Sequence, residues 1–207
     1  DLSLASVHQL RKMGWEYRIF FVPRDTNATV LQPHQAPNPD TPRTDHYYAH
    51  SSNVGIKKRG GDNLELKLRC EIDDGGFEKW KKWRIDNFDE LKTVLRENNY
   101  SDSLEMTEGT TAVVVSIGKR RRIGFCEGMQ MEETDLVIRC RRGGDDDSDD
   151  DGVGEIWKTV AIEGKRKACT PTKDLLPGLC KAHAVNGDIR ECGYAEFVSD
   201  IAASTKK

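Results

Sequence analysis

Apolar and polar side chains alternate singly over several short stretches of this chain, the period of a strand with one buried face. The pattern predicts strands at 15–22, 45–50, 54–59, 64–72, 78–85, 111–125 (bent at Gly118), 135–142 and 155–163. Pro23 stops the first strand, and five of the seven prolines fall between Pro23 and Pro42, predicting a long loop over 23–43. Gly60-Gly61-Asp62-Asn63 reads as a hairpin turn. A longer period, in Phe88, Leu91, Val94 and Leu95 behind a capping Asp86, predicts a helix reaching about Asn98. Weaker helical patterns cover 2–12, 172–184 and 194–203. Eight strands at hairpin spacing with a few helices predict an α+β fold. It would be an antiparallel eight-stranded closed β-barrel with flanking helices, in a single domain over 1–207.

The same period sorts side chains onto faces. Leu64, Leu66 and Leu68 oppose Glu65, Lys67 and Arg69, while Val54 and Ile56 oppose Lys57 and Arg59. Ile156, Val160 and Ile162 leave Thr159 and Glu163 together, and Leu136, Ile138 and Cys140 oppose Asp135, Arg139 and Arg141. Lys119-Arg120-Arg121-Arg122 supplies both faces, with Arg120 and Arg122 paired on one. In an open antiparallel sheet, charged faces of this kind look at water. In a barrel closed with its leucine faces outward beneath helices, they line a lumen. Arg and Lys there would grip phosphate oxygens, and carboxylates would hold Mg²⁺ or Mn²⁺.

Charge distribution adds to this. The net charge is −3, but the block from Asp145 to Asp151 carries six of the 35 acids. The other 29 acids face 32 Lys and Arg, so the remainder of the chain is mildly basic and suited to an anion. Gly143, Gly144 and Gly152 flank the block and predict a disordered hairpin loop over 143–154. No apolar run exceeds a few residues, so no membrane span is expected, and no signal peptide is expected in the chain as given. The six cysteines form no Cys-x-x-Cys pair, which points to free thiols in a reducing, cytoplasmic compartment. His46 and His50 share a strand face and are read as solvated. No phosphate-binding Gly-rich loop, nucleophile elbow or His-Glu-x-x-His helix is present.

Several segments carry a resemblance. Glu16-Tyr17-Arg18 matches the second half of a Glu-x-Glu-x-Lys strand, Asp45-His46-Tyr47 an Asp-x-Tyr strand, and Lys57-Lys58-Arg59 an Arg-x-Arg strand. Leu64-Glu65-Leu66-Lys67 is similar to a Leu-x-Leu-Lys strand, and Arg120 to Phe125 to a Lys-x-Arg-x-x-aromatic segment. Trp157 to Glu163 is similar to a late strand ending in Glu, and Gly193 to Phe197 to the start of a terminal helix. In this order, from residue 15 to about 200, they resemble the CYTH superfamily, the triphosphate tunnel metalloenzymes that include thiamine triphosphatases. The departures are Gly14 in place of the first glutamate, Arg18 in place of lysine, and Ala161 where a second late acid is common.

The resemblance implies that Arg18, Lys57, Arg59, Lys67, Arg69, Arg120, Arg122 and Arg139 bind a triphosphate, and that Glu16, Glu65 and Glu163 hold Mg²⁺ or Mn²⁺. It assigns no catalytic base. The implied activity is metal-dependent hydrolysis of tripolyphosphate, thiamine triphosphate or a nucleoside triphosphate. Gly14 and Ala161 favour the alternative, a catalytically impaired module that binds polyphosphate, a nucleotide or an RNA 5′ end. Trp80-Lys81-Lys82-Trp83 has the composition of a nucleic-acid platform. The reading taken for it is a structural edge strand whose tryptophans pack under the following helix.

Overall fold

A computed structural model describes residues 10–31, 40–59, 63–100, 114–126, 129–141, 154–165 and 171–204. Its strands are β1 (Leu10–Phe21), β2 (Arg43–Ser51), β3 (Val54–Arg59), β4 (Asn63–Ile72), β5 (Glu78–Ile85), β6 (Val114–Cys126), β7 (Met129–Arg141), β8 (Glu155–Gly164) and the two-residue β9 (Arg190–Glu191). The helices are α1 (Phe88–Glu97), α2 (Pro171–His183) and α3 (Tyr194–Ser204). Strands pair in the order β5-β4-β3-β2-β6-β7-β8-β1, and β1 also pairs with β5, which closes an eight-stranded antiparallel barrel. The length of β1 makes closure possible. Its first part pairs with β5 (Met13↔Lys81), its second with β8 (Phe21↔Lys158), and β9 adds a short pairing to its end. Closure satisfies backbone groups that an open sheet would leave at two edges.

All eight predicted strands are present, and the differences lie at their ends. Residues 10–12 are strand where a helical pattern was read; residues 1–9 lie outside the described residues. β7 starts at Met129 rather than at 135, because its ladder with β6 continues from Arg120↔Asp135 to Cys126↔Met129. Asn87, not Asp86, caps α1: its side chain accepts the Glu90 N–H at 2.9 Å, and Glu90 in turn accepts the Asp86 N–H at 2.6 Å. The Asp145–Asp151 block, the turn residues 60–62 and residues 32–39 of the Pro-rich loop lie outside the described residues. Among the described residues, no helix is long and apolar enough to cross a membrane.

Two apolar clusters cover the barrel wall from outside. Val54, Ile56, Leu64, Leu66 and Leu68 pack under Leu91, Val94 and Leu95 of α1, so the leucine face of β4 points outward as predicted. Tyr17, Ile19, Phe21, Val160 and Ile162 pack with Leu176 and Cys180 of α2. A third cluster is inside. At one end Phe20, Tyr47, Val115, Ile117, Leu136, Ile138 and Trp157 meet Phe197, Val198 and Ile201 of α3. Phe197 stacks on Phe20 with ring centroids 3.9 Å apart and meets Trp157 edge-on at 5.1 Å. Full burial of each such side chain is worth about 1.5–3 kcal/mol, and here it closes one end of the barrel with a helix. Trp80-Lys81-Lys82-Trp83 is not in an edge strand, since β5 pairs on both sides. Trp83 packs beneath α1, and Trp80, on the opposite face, points inward.

Candidate functional site: a dead-end basic lumen

The half of the barrel that α3 leaves free is a cavity of about 470 Å³. Each strand contributes alternate residues: Glu16 and Arg18 from β1, Arg43 from β2, Lys57 and Arg59 from β3, and Glu65 and Lys67 from β4. Lys82 comes from β5, Lys119 and Arg121 from β6, Gln130 and Glu132 from β7, Glu163 from β8, and Tyr194 from the start of α3. Eight basic side chains therefore face four carboxylates.

Arg18 occupies the centre of one wall, almost fully buried. Its Nε donates to Glu16 at 2.7 Å, its Nη1 to Glu132 at 3.1 Å and its Nη2 to Glu163 at 3.2 Å. The Tyr194 ring covers the guanidinium, with 4.5 Å from Cζ to the ring centroid. Burial pushes the Glu16 carboxyl upward, but Lys67, Arg18 and Lys82 outweigh it and hold the group well below the usual range. Glu132 behaves likewise: Arg18, Arg121 and Lys119 overcome its burial and bring it down to about 2.

A second group sits by the closed end. Asp45, fully buried, accepts hydrogen bonds from Arg43 and Lys57 and forms an ion pair with Lys119, each at 3.2 Å, and stays ionised despite burial because these cations outweigh it. Lys119 lies over the Tyr194 ring at 3.9 Å and donates to the Tyr47 hydroxyl. Burial, with Lys57 close by, pushes the Lys119 ammonium well below an ordinary lysine, against the pull of Asp45 and Glu132. Glu65 bridges Lys57 at 3.3 Å and Arg59 at 3.2 Å.

Of the residues singled out in the sequence, the structure brings Glu16, Arg18, Lys57, Arg59, Glu65, Lys67 and Glu163 to this one cavity. Four do not join them. Arg69 lies on the lumen face of β4 but at the closed end, where its guanidinium ties Glu78 of β5 to Glu196 of α3. Arg120, Arg122 and Arg139 are on the outer face, lining a separate groove with Val137 and Ile156, and Arg122 pairs there with Asp135 at 3.2 Å. The reason is parity. Ile117, Lys119 and Arg121 share the inward face of β6, and Leu136 and Ile138 the inward face of β7, because α3 makes that end of the lumen apolar.

Sequence reasoning missed Arg43, Asp45, Lys82, Lys119, Arg121 and Glu132 as lumen residues. For Asp45 a signal was at hand, since the strand motif containing it was recognised. Glu132 lay in a stretch between two predicted strands that was assigned to no element, and Arg121 in a run whose four consecutive bases give alternation no contrast. His46 pairs with Ser116 at 2.9 Å.

Among the described residues, no three His, Cys, Asp or Glu side chains are grouped to hold a metal ion. Glu16, Glu65 and Glu163, the carboxylates the resemblance assigns to Mg²⁺ or Mn²⁺, each accept from cations of the chain itself. The space that Glu16, Glu132 and Glu163 enclose holds the Arg18 guanidinium, so these side chains do not fit a resident divalent cation. No family model matches the chain, and no curated protein matches it either.

Proposed function

We propose that this barrel binds a linear polyphosphate-type anion in its dead-end lumen, as a divergent relative of the CYTH tunnel proteins. Tripolyphosphate, thiamine triphosphate and nucleoside triphosphates are the candidate ligands. The observation that carries the reading is the excess of eight basic side chains over four carboxylates around a cavity closed at one end. Asp45 beneath the floor and Asp40, which holds Arg121 at 2.6 Å, reduce the surplus from four positive charges to two when Lys119 carries its proton.

The physical argument is one of exchange. Each lumen cation already has a carboxylate or an aromatic ring beside it, so a monovalent anion would gain little by displacing those partners. A polyphosphate brings several charges on one chain and can meet the surplus cations together, with Arg43 and Arg59 presenting forked donors that match phosphate oxygens, while the Arg121 fork is held by Asp40 and joins by exchange. The closed end forces entry from the opposite mouth, so phosphate groups go in first. The free thiols of Cys70, Cys140, Cys180 and Cys192 agree with a reducing, cytoplasmic setting.

Metal-assisted hydrolysis of the same ligands is the second reading, favoured by one observation: Glu16 and Glu163 are direct cross-strand partners facing the lumen. Calorimetric titration with tripolyphosphate, thiamine triphosphate and ATP, together with phosphate release in Mg²⁺ or Mn²⁺, separates the two. Saturable binding without turnover is the expected result. Metal-dependent turnover lost in Glu163→Gln would move the assignment to a phosphohydrolase, and neither binding nor turnover would overturn both.

A further inference from the structure

We infer that the guanidinium of Arg18 takes the place of a divalent cation in this lumen, so that the barrel receives its polyphosphate free of metal. The inference rests on the binding reading above, but its geometry stands apart from the identity of the ligand.

The first observation is the nest itself. Three carboxylates from three strands, Glu16 on β1, Glu132 on β7 and Glu163 on β8, converge on one guanidinium, and each uses a different nitrogen of it. A guanidinium spreads its acceptors along the edges of a rigid planar fork. Mg²⁺ instead gathers oxygens at about 2.1 Å around a single point. Carboxylates splayed to satisfy the fork are therefore poorly placed for a small ion, and the fork fills the space between them.

The second observation is charge. The same three carboxylates have other cations within reach: Lys67 at 3.1 Å and Lys82 at 3.9 Å from Glu16, Lys82 at 3.9 Å from Glu163, and Arg121 at 3.4 Å from Glu132. With Arg18 added, four cations face these three carboxylates and Asp40, which Arg121 also holds at 2.6 Å, so the chain neutralises the nest by itself. A divalent ion entering here would find no unneutralised carboxylate. The third is immobilisation. Thr159 Oγ1 lies 3.4 Å from Nη1, and the Tyr194 ring covers the face of the guanidinium, so Arg18 is held in place from several directions.

The consequence for the ligand is specific. Magnesium bound to a polyphosphate in solution would have to be shed, or would cost affinity, so the lumen selects the uncomplexed anion. The test is Mn²⁺ titration followed by electron paramagnetic resonance, on the wild-type chain and on Arg18→Ala, alongside tripolyphosphate titration in EDTA and in excess Mg²⁺. We expect no Mn²⁺ site in the wild type, a single Mn²⁺ site gained in Arg18→Ala, and tripolyphosphate affinity in EDTA at least equal to that in Mg²⁺. A Mn²⁺ site in the wild type, no gain in a folded Arg18→Ala, or affinity raised about tenfold by Mg²⁺ would each overturn the inference. If Arg18→Ala does not fold, the wild-type Mn²⁺ titration decides alone. Absence of tripolyphosphate binding under both conditions would defeat the binding reading, while the Mn²⁺ titrations would still decide the role of Arg18.

Discussion

Lys67 on β4 reaches over β5 to place its Nζ 3.1 Å from Oε2 of Glu16 on β1. The contact joins two strands that do not pair with each other, and the Lys67 side chain still lines the cavity. Glu16 keeps Arg18 at 2.7 Å when Lys67 is removed, so the wall loses a cation without leaving a buried carboxylate alone. Lys67→Ala should therefore weaken tripolyphosphate binding by about tenfold, the ~1.4 kcal/mol of one charge-assisted contact, with little change in melting temperature. Unchanged affinity in the folded variant would remove Lys67 from the binding surface.

Neighbouring arginines on β6 should behave oppositely. Arg121 lines the lumen and Arg120 the outer groove. Arg121→Ala should cost about tenfold in polyphosphate affinity, whereas Arg120→Ala should stay within about twofold. Equal losses in both would mean that the strand's faces do not divide the chemistry as described.

The closing helix depends on a residue without a side chain. A Cβ at Gly193, just before α3, would run into the Glu78 carboxylate and lie 3.0 Å from the Trp80 ring. Glu78 cannot easily retreat, being held by Arg69 and by the Trp80 Nε1–H at 3.0 Å. Gly193→Ala should destabilise the fold by about 1–3 kcal/mol in chemical denaturation. A variant as stable as the parent would show that α3 seats with room to spare.

Binding should take up a proton. Lys119 loses its proton more readily than an ordinary lysine because it is buried beside Lys57. A phosphate oxygen arriving at the cavity floor would favour the charged form, so affinity should fall as pH rises through a range below the usual lysine value. Calorimetry in two buffers of different ionisation heat would read the uptake, and Lys119→Met should abolish it. Identical heats in both buffers would argue against ligand contact at the floor.

Acid should loosen the wall around Arg18. Burial raises the Glu132 carboxyl and the neighbouring cations lower it, leaving it at about 2 against an ordinary value of 4.5. A carboxyl depressed in the folded state contributes stability above its unfolded value, and that contribution is lost as pH falls toward the folded one. The melting temperature should thus drop between about pH 5 and pH 2, and Glu132→Gln should flatten the slope across that window.

How much of this was legible depended on contrast between neighbouring residues. In β4, leucines alternate with Glu65, Lys67 and Arg69, and the structure keeps that division: leucines under α1, Glu65 and Lys67 in the lumen. In β3, Val54 and Ile56 against Lys57 and Arg59 gave the same result. In β6 the run from Lys119 to Arg122 offers no contrast, and the paired arginines chosen there are on the outside. In β7, Glu132 escaped notice because Met129-Gln130-Met131-Glu132-Glu133-Thr134 has too little alternation to read as strand without its partner β6.

Taken alone, the sequence determined the eight strands, the closed antiparallel barrel and five of the lumen's charged residues, Lys57, Arg59, Glu65, Lys67 and Glu163, through period-two alternation within a few neighbouring positions, whereas Glu16 and Arg18 were singled out by the resemblance of their strand to a family motif. Tertiary structure decided which face is inward where the alternation changes character along one strand. The inward face of β7 carries Glu132 toward the mouth and Leu136 and Ile138 toward the closed end. That switch has its cause in α3, a helix more than fifty residues later in the chain, whose Phe197 and Ile201 make one half of the lumen a core and leave the other half to charge. It also decided that Glu16, Glu132 and Glu163, far apart in the chain, meet around Arg18, because only barrel closure sets β1, β7 and β8 side by side.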